Sequence, residues 1–283
     1  MSLVSMKELL LAAEKGKYGV GAFSVANMEM VLGAVSAAEE LCSPMILQVA
    51  QVRLPYSPLP IFAPLLLAAA NNAKVPVAVH FDHGTELSCI EQALQLGFTS
   101  VMIDASKYSI EENIRLTRQV KAMADKHGAA VEAEVGQLGS TEDGKADGEA
   151  MYSDPKEVRR LYEETGVDAI ALSIGNAHGL YKKEPKLNFE ILQASKELVA
   201  VPLVLHGGSG ISDEDFRNCI RHGIRKINVA TATFLAVEQA ARDYVTHAQH
   251  PDYFLLSETM RLGAYENVKR HMLVFGSDGK ACV

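Results

Sequence analysis

The 283-residue sequence has no cysteine pair spaced as CxxC, no GxGxxG after its first strand-like run, and no apolar stretch of bilayer-spanning length. Each absence excludes something. Cys42, Cys89, Cys219 and Cys282 are scattered, which reads as free thiols in a reducing compartment. The apolar segment IFAPLLLAAA is too short to cross a membrane and contains Pro64. The opening MSLVSMKELLLAAEKG sets Lys7 and Glu8 beside its short apolar run, unlike a signal peptide. Positive charge is also scarce. With 27 Lys and Arg against 35 Asp and Glu, the net charge is -8, which argues against nucleic acid or an anionic membrane as the main partner. A small anion is still allowed, because clustered backbone N–H groups can hold one locally. The expectation is a soluble, cytoplasmic protein.

What is present is a repeating pattern. Hydrophobic residues make up 48% and charged residues 22%, enough apolar material for a large core. Ser5 and Glu8 suggest a capping box for a first helix ended by Gly16. Apolar runs follow at 18–23, 44–50, 75–82, 100–105, 129–136, 169–175, 201–207 and 226–231. Amphipathic helical stretches separate them, among them SIEENIRLTRQVKAMADKHG and SDPKEVRRLYEETG, the second capped at Ser153 or Asp154 with Pro155 in its first turn. Apolar strands alternating with helices imply a parallel sheet covered on both faces. Eight such units predict an α/β fold, a (β/α)8 TIM barrel forming a single domain over 1–283. A doubly wound open sheet is the alternative. The Gly- and acid-rich segment at about 137–152 is too long for a simple connection and reads as an active-site loop.

In such a barrel, chemistry gathers at the C-terminal ends of the strands. The third run ends in Asp82-His83, the sixth leads into GNAHGLY with His178, and the seventh ends at His206. A single histidine there is an ordinary scaffold residue, but three beside glycines at one edge point to a metal site. Three imidazoles with one open position suit catalytic zinc, whereas magnesium prefers oxygen ligands. Asp104 and Glu134 read as acceptors that fix histidine tautomers, as an alternative metal position, or as lining salt-bridge partners. His80, two residues before Asp82, reads as a supporting or core residue and not a ligand. HGGSG at 206–210 and INVAT at 227–231 occupy the loops where barrels bind phosphate, with a helix beginning after Thr231.

The motifs HFDHG, SVMIDAS, VEAEVGQLG, IGNAHGLYKKEPKLNFE, VPLVLHGGSGI and KINVAT together resemble the class II, zinc-dependent fructose-bisphosphate and tagatose-bisphosphate aldolases over nearly the whole chain. The resemblance implies a barrel enzyme, a homodimer or homotetramer, that reversibly splits a ketose phosphate into dihydroxyacetone phosphate and an aldehyde. It places zinc on His83, His178 and His206, the acid/base at the C4 hydroxyl on Asp82, and a mobile proton-transferring carboxylate on Glu142. Phosphate would be held by Gly179, Lys182, Gly207, Ser209, Asn228 and Thr231. Carbonyls of Gly179, Gly207 and Ser209 would hold a monovalent cation, Na+ or K+. A Schiff-base mechanism needs a lysine inside the barrel; the sixth and seventh runs contain none, and Lys226 reads as lying at the start of its strand, the wrong end.

Three positions depart from the family pattern. Ser24 replaces the Asn of an AFN motif, Ala50 replaces a serine, and Asp252 in HPDYF stands where the family's DPR arginine binds the distal phosphate. A carboxylate repels a phosphate. Ala50 and Asp252 are expected to face one distal pocket, with Arg53 as a candidate compensating cation, which suggests a ketose 1-phosphate substrate with a non-phosphorylated aldehyde half. A non-catalytic phosphosugar-binding barrel and a metal-free isomerase are the competing readings.

Overall fold

A computed structural model of the chain describes residues 2–140, 151–179, 181 and 185–281. Its elements run in the order α1 (Met6–Gly16), β1 (Val20–Ser24), α2 (Met28–Glu40), β2 (Met45–Ala50), α3 (Leu59–Asn72), β3 (Val77–Gly84), α4 (Leu87–Leu96), β4 (Ser100–Ile103), α5 (Ile110–Asp125) and β5 (Ala130–Val135). They continue with β6 (Gly139–Ser140), α6 (Pro155–Thr165), β7 (Ala169–Leu172), β8 (Ala177–His178), α7 (Phe189–Leu198), β9 (Leu203–Leu205), α8 (Asp213–Arg221), β10 (Ile224–Val229), α9 (Thr231–His247) and α10 (Tyr253–Phe275). Eight parallel strands close in the order β1-β10-β9-β7-β5-β4-β3-β2, the expected barrel. The two-residue strands β6 and β8 form a separate parallel ribbon above it.

The strands are two-faced, which the apolar runs concealed. On β3, Val77, Val79 and Phe81 pack outward under the helices, while Ala78 enters the bore with His80 and Asp82. The same alternation sets Ile46 and Gln48 inward on β2, and Ala130, Glu132 and Glu134 inward on β5. The N-terminal end of the bore is apolar. There Met6, Leu9, Leu10 and Ala13 of α1 pack on Val20, Ala22, Ile46, Ala78 and Val204. Polar side chains occupy the other end, so the barrel is a plugged cup.

Several local expectations are refined. The Ser5 side chain caps α1 by accepting from the Lys7 N–H, and Lys17, not Gly16, takes the left-handed turn at φ 56°. Gly16 is needed for space, since a Cβ there would lie 2.6 Å from the Tyr18 ring. Asp154 caps α6. Ser153 instead donates to the Val135 carbonyl at 2.6 Å. Cys89 and Cys219 are free thiols, but Cys42 is disulfide-bonded, contrary to the expectation of four free thiols. No helix among the described residues is long and apolar enough to cross a membrane.

Candidate active site

A bulge in β3 builds the first part of the site. The β3–β4 register shifts between Phe81 and Gly84, and His83 takes the left-handed conformation at φ 45°. Neighbours on a regular strand point to opposite faces. The bulge instead turns both Asp82 and His83 into the mouth. Holding a non-glycine residue there costs about 1–2 kcal/mol, and the ring's partners offset it. The His83 Nδ1 lies 2.8 Å from Asp104 Oδ2, whose other oxygen accepts from the Ser106 hydroxyl at 2.7 Å.

His206 follows β9, and His178 lies on β8 beyond the end of β7. Their loops are tied to each other. The Asn176 amide donates to the Leu172 carbonyl at 3.2 Å and to the His206 carbonyl at 3.0 Å. The Tyr181 hydroxyl accepts from the Ala177 N–H at 2.8 Å and donates to the Gly207 carbonyl at 2.9 Å. Gly207, at φ 64°, passes so close that a Cβ would lie 2.1 Å from the Ala177 carbonyl.

One nitrogen from each of His83, His178 and His206 lies within 4.8 Å of the others. The His83 Nε2 is 2.8 Å from the His206 Nδ1. The outward nitrogens are already committed, His83 Nδ1 to Asp104 and His206 Nε2 to Glu132 Oε1 at 2.7 Å. With protons on those outward nitrogens, the two facing nitrogens present lone pairs to each other, an arrangement that a shared cation satisfies. This donor set fits a divalent metal of the zinc type.

In the metal-free protein a proton on His83 takes the place of that cation, and the surrounding charges favour it. Burial would lower the His83 imidazole, but Asp82 and the hydrogen-bonded Asp104 raise it to about 10. Burial, then the neighbouring rings, push His178 and His206 well below the usual histidine range. Burial would raise Asp104, yet His83 and Ser106 hold it well below the carboxylate range. Glu134 is raised well above that range by burial and by Asp104, and its Oε2 has no hydrogen-bond partner among the described residues. His83, Asp104 and Glu134 form a second group of potential ligand atoms within 4.8 Å.

Asp82 sits in a polar cradle that sequence reading largely missed. Gln48 Nε2 donates to Asp82 Oδ2 at 3.1 Å and to the Ser24 hydroxyl at 3.0 Å, while Asn228 Nδ2 donates to Asp82 Oδ1 at 3.2 Å. Burial pushes the Asp82 carboxyl up, against the pull of His83 and Lys226. His80 is fully buried, with Nδ1 2.9 Å from the Ser100 hydroxyl and Nε2 3.8 Å from Asp82, as expected of a supporting residue. Lys226 is a correction. A register shift at Arg225 lets it enter the bore, where Nζ lies 2.9 Å from Glu132 Oε2 and 2.7 Å from Asn228 Oδ1. It sits beneath the site, held between Glu132 and Asn228. The inward parity shared with Asp82 and Glu134 was the available signal for Gln48, Glu132 and Lys226.

Above these residues opens a cavity of about 550 Å³. Gly179, Gly207, Ser209, Asn228 and Thr231 all line it. Ser209 Oγ accepts from the Ala232 N–H at 2.9 Å, joining the glycine turn to the start of α9. The Asn228 side chain faces Asp82 and Lys226 and contributes to the wall from below. Ala50 and Arg53 line the cavity, with the Arg53 guanidinium 5.7 Å from the Phe234 ring centroid. Asp252 does not line it. Its carboxylate caps α10 by accepting from the Leu255 N–H at 2.9 Å, so it shares no pocket with Ala50 within this chain. Glu142 and Lys182 fall outside the described residues.

A closed parallel barrel with an imidazole cluster and a glycine-rich cradle at its C-terminal mouth has the make-up of a metal-centred enzyme for an anionic substrate. The chain belongs to the class-II fructose-bisphosphate aldolases, a family of carbon–carbon lyases whose pattern matches residues 4–280. It is 41% identical over 289 residues to a fructose-bisphosphate aldolase of Geobacillus stearothermophilus, covering 99% of both chains. It is also 41% identical over 287 residues to a 6-phospho-5-dehydro-2-deoxy-D-gluconate aldolase of Halalkalibacterium halodurans, again with 99% of each covered. The crystal structure of the YdjI aldolase from Escherichia coli K12 superposes with a TM-score of 0.89 at 36% identity, covering 99% of both chains.

Proposed function

We propose that the protein reversibly cleaves a ketose phosphate to dihydroxyacetone phosphate and an aldehyde, with zinc held by His83, His178 and His206. The observation that carries this reading is the facing pair of imidazole nitrogens beside the glycine-rich cradle. Zinc held there would supply fixed positive charge at the ketose carbonyl. Asp82 takes the C4 hydroxyl proton in cleavage and returns it in condensation. Gln48 and Asn228 aim its carboxylate, and burial raises its basicity. Backbone groups at Gly179, Gly207 and Ser209, with Asn228 and the α9 N-terminus at Thr231, hold the phosphate. Lys182 and Glu142 complete the set by resemblance, as the cation of the phosphate site and the carboxylate that moves the carbon-bound proton. A monovalent cation on the Gly179, Gly207 and Ser209 carbonyls, and assembly as a homodimer or homotetramer, belong to the same reading.

The test is dihydroxyacetone phosphate release from fructose 1,6-bisphosphate, tagatose 1,6-bisphosphate and several ketose 1-phosphates, before and after chelation. Activity should vanish with the metal and return with zinc. Turnover that survives exhaustive chelation would sink the proposal.

A narrower reading concerns the aldehyde half. The two named relatives act on different substrates, so the family alone does not fix it. Ala50 offers the distal wall no hydroxyl, and Asp252, a helix cap away from the cavity, brings no arginine to it, so Arg53 and Lys107 are the cations among the described residues that line it. We therefore favour ketose 1-phosphates yielding a non-phosphorylated aldehyde. A strongly superior kcat/KM on either bisphosphate would overturn that preference.

A further inference from the structure

Lys226 is the cation at the root of the site. It is fully buried, does not line the cavity, and cannot touch substrate. An ammonium only donates hydrogen bonds, so at 2.7 Å it binds the oxygen end of the Asn228 amide. That choice forces the amide nitrogen to the other side, where it meets Asp82 Oδ1 at 3.2 Å. The same ammonium lies 2.9 Å from Glu132 Oε2, and the other oxygen of Glu132 contacts His206 Nε2 at 2.7 Å. One lysine therefore anchors two branches, through Glu132 to an imidazole of the cluster and through Asn228 to Asp82.

We propose that Lys226 is a positioning residue for the aldol step, fixing the Asn228 amide so that its NH2 holds Asp82 toward the reacting hydroxyl. This rests on the reading of Asp82 as the acid/base given above. The competing account is that Lys226 merely neutralises Glu132. The two differ in what happens when both charges are removed together. Neutralisation is then unnecessary, but the Asn228 amide has still lost the partner that orients it.

The reaction itself supplies a second discrimination. Exchange of the dihydroxyacetone phosphate C3 proton with solvent needs the metal and the phosphate cradle but not Asp82. Condensation with an aldehyde needs Asp82 as well.

The experiment compares Glu132→Gln with the double variant Lys226→Met/Glu132→Gln, both loaded with zinc. Zinc affinity and the Tm of the metal-free proteins are measured alongside the two rates. The double variant is expected to lose about 10–100-fold in condensation kcat relative to Glu132→Gln, as for other groups that orient a reacting residue. Its exchange rate and zinc affinity should stay close to those of Glu132→Gln, and its Tm should be no lower, since the single variant leaves the buried Lys226 unpaired. Equal loss of both rates, or no loss in either, would overturn the proposal. Asn228→Asp provides an arm that keeps Lys226 and Glu132 intact, replacing the amide donor by an acceptor. It should slow condensation, and unchanged condensation would also overturn the proposal. Absence of both reactions in the unaltered protein would instead defeat the aldolase reading, and this inference with it.

Discussion

The Nε2 of His83 faces the Nδ1 of His206 across 2.8 Å, while the far nitrogen of each ring is held by a carboxylate, Asp104 for one and Glu132 for the other. The carboxylates orient the rings and favour the tautomers that leave both lone pairs inward. The site thus assembles an arrangement able to hold a metal ion from residues on four strands or strand ends.

Zinc should therefore stabilise the fold far more than magnesium does. Binding to the native state alone raises stability by about 4 kcal/mol at a thousandfold excess over Kd. Scanning calorimetry of the metal-free protein should show a clear rise in Tm with zinc and almost none with magnesium. An equal rise with both ions would contradict the imidazole site.

Asp104→Asn removes the charge that holds His83 Nδ1–H. Zinc affinity is expected to fall about 10–100-fold, with the fold retained. Competition against a chromophoric chelator measures it. An unchanged affinity would show that the tautomer is fixed by something else.

Tyr181→Phe leaves the Ala177 N–H and the Gly207 carbonyl without their shared partner. A fully buried orphaned group costs about 1–3 kcal/mol, and these two are half-buried, so the loss should fall toward the low end. Because Ala177 and Gly207 each adjoin a proposed ligand, the variant should lose zinc affinity as well as stability. Denaturant unfolding with and without zinc separates the two losses. A drop in stability with identical zinc affinity would confine Tyr181 to packing.

The His271 imidazole, buried on α10 against Phe216 and Phe275, is lowered to about 4, chiefly by burial. Its folded pKa lies below the unfolded value, so only the unfolded chain takes up the proton as pH falls from about 6.5 to 4. Stability should decline across that window by up to about 3 kcal/mol from this group. His271→Gln should lose less stability than the parent between those pH values in thermal melts. Parallel pH profiles for the two proteins would refute the assignment.

The chain order and residue types carried a great deal. Alternation of apolar runs with helices implied the barrel, because parallel strands must bury both faces. Its C-terminal edge then gathered Asp82, His83, His178 and His206, and glycines marked the cradle at Gly207 and Gly208. Tertiary structure decided what spacing along the chain does not encode. The bulge that aims both Asp82 and His83 inward depends on register against β4. The bulge at Arg225 that carries Lys226 into the bore depends on register against β9. Asp252, placed by motif at a distal pocket, instead caps a helix, because a short carboxylate at an extended residue satisfies N–H groups that nothing else reaches. Sequence determined which chemical groups were available at the mouth. Only closure of the barrel determined which of them meet, since those contacts join residues as far apart as Asp82 and Asn228.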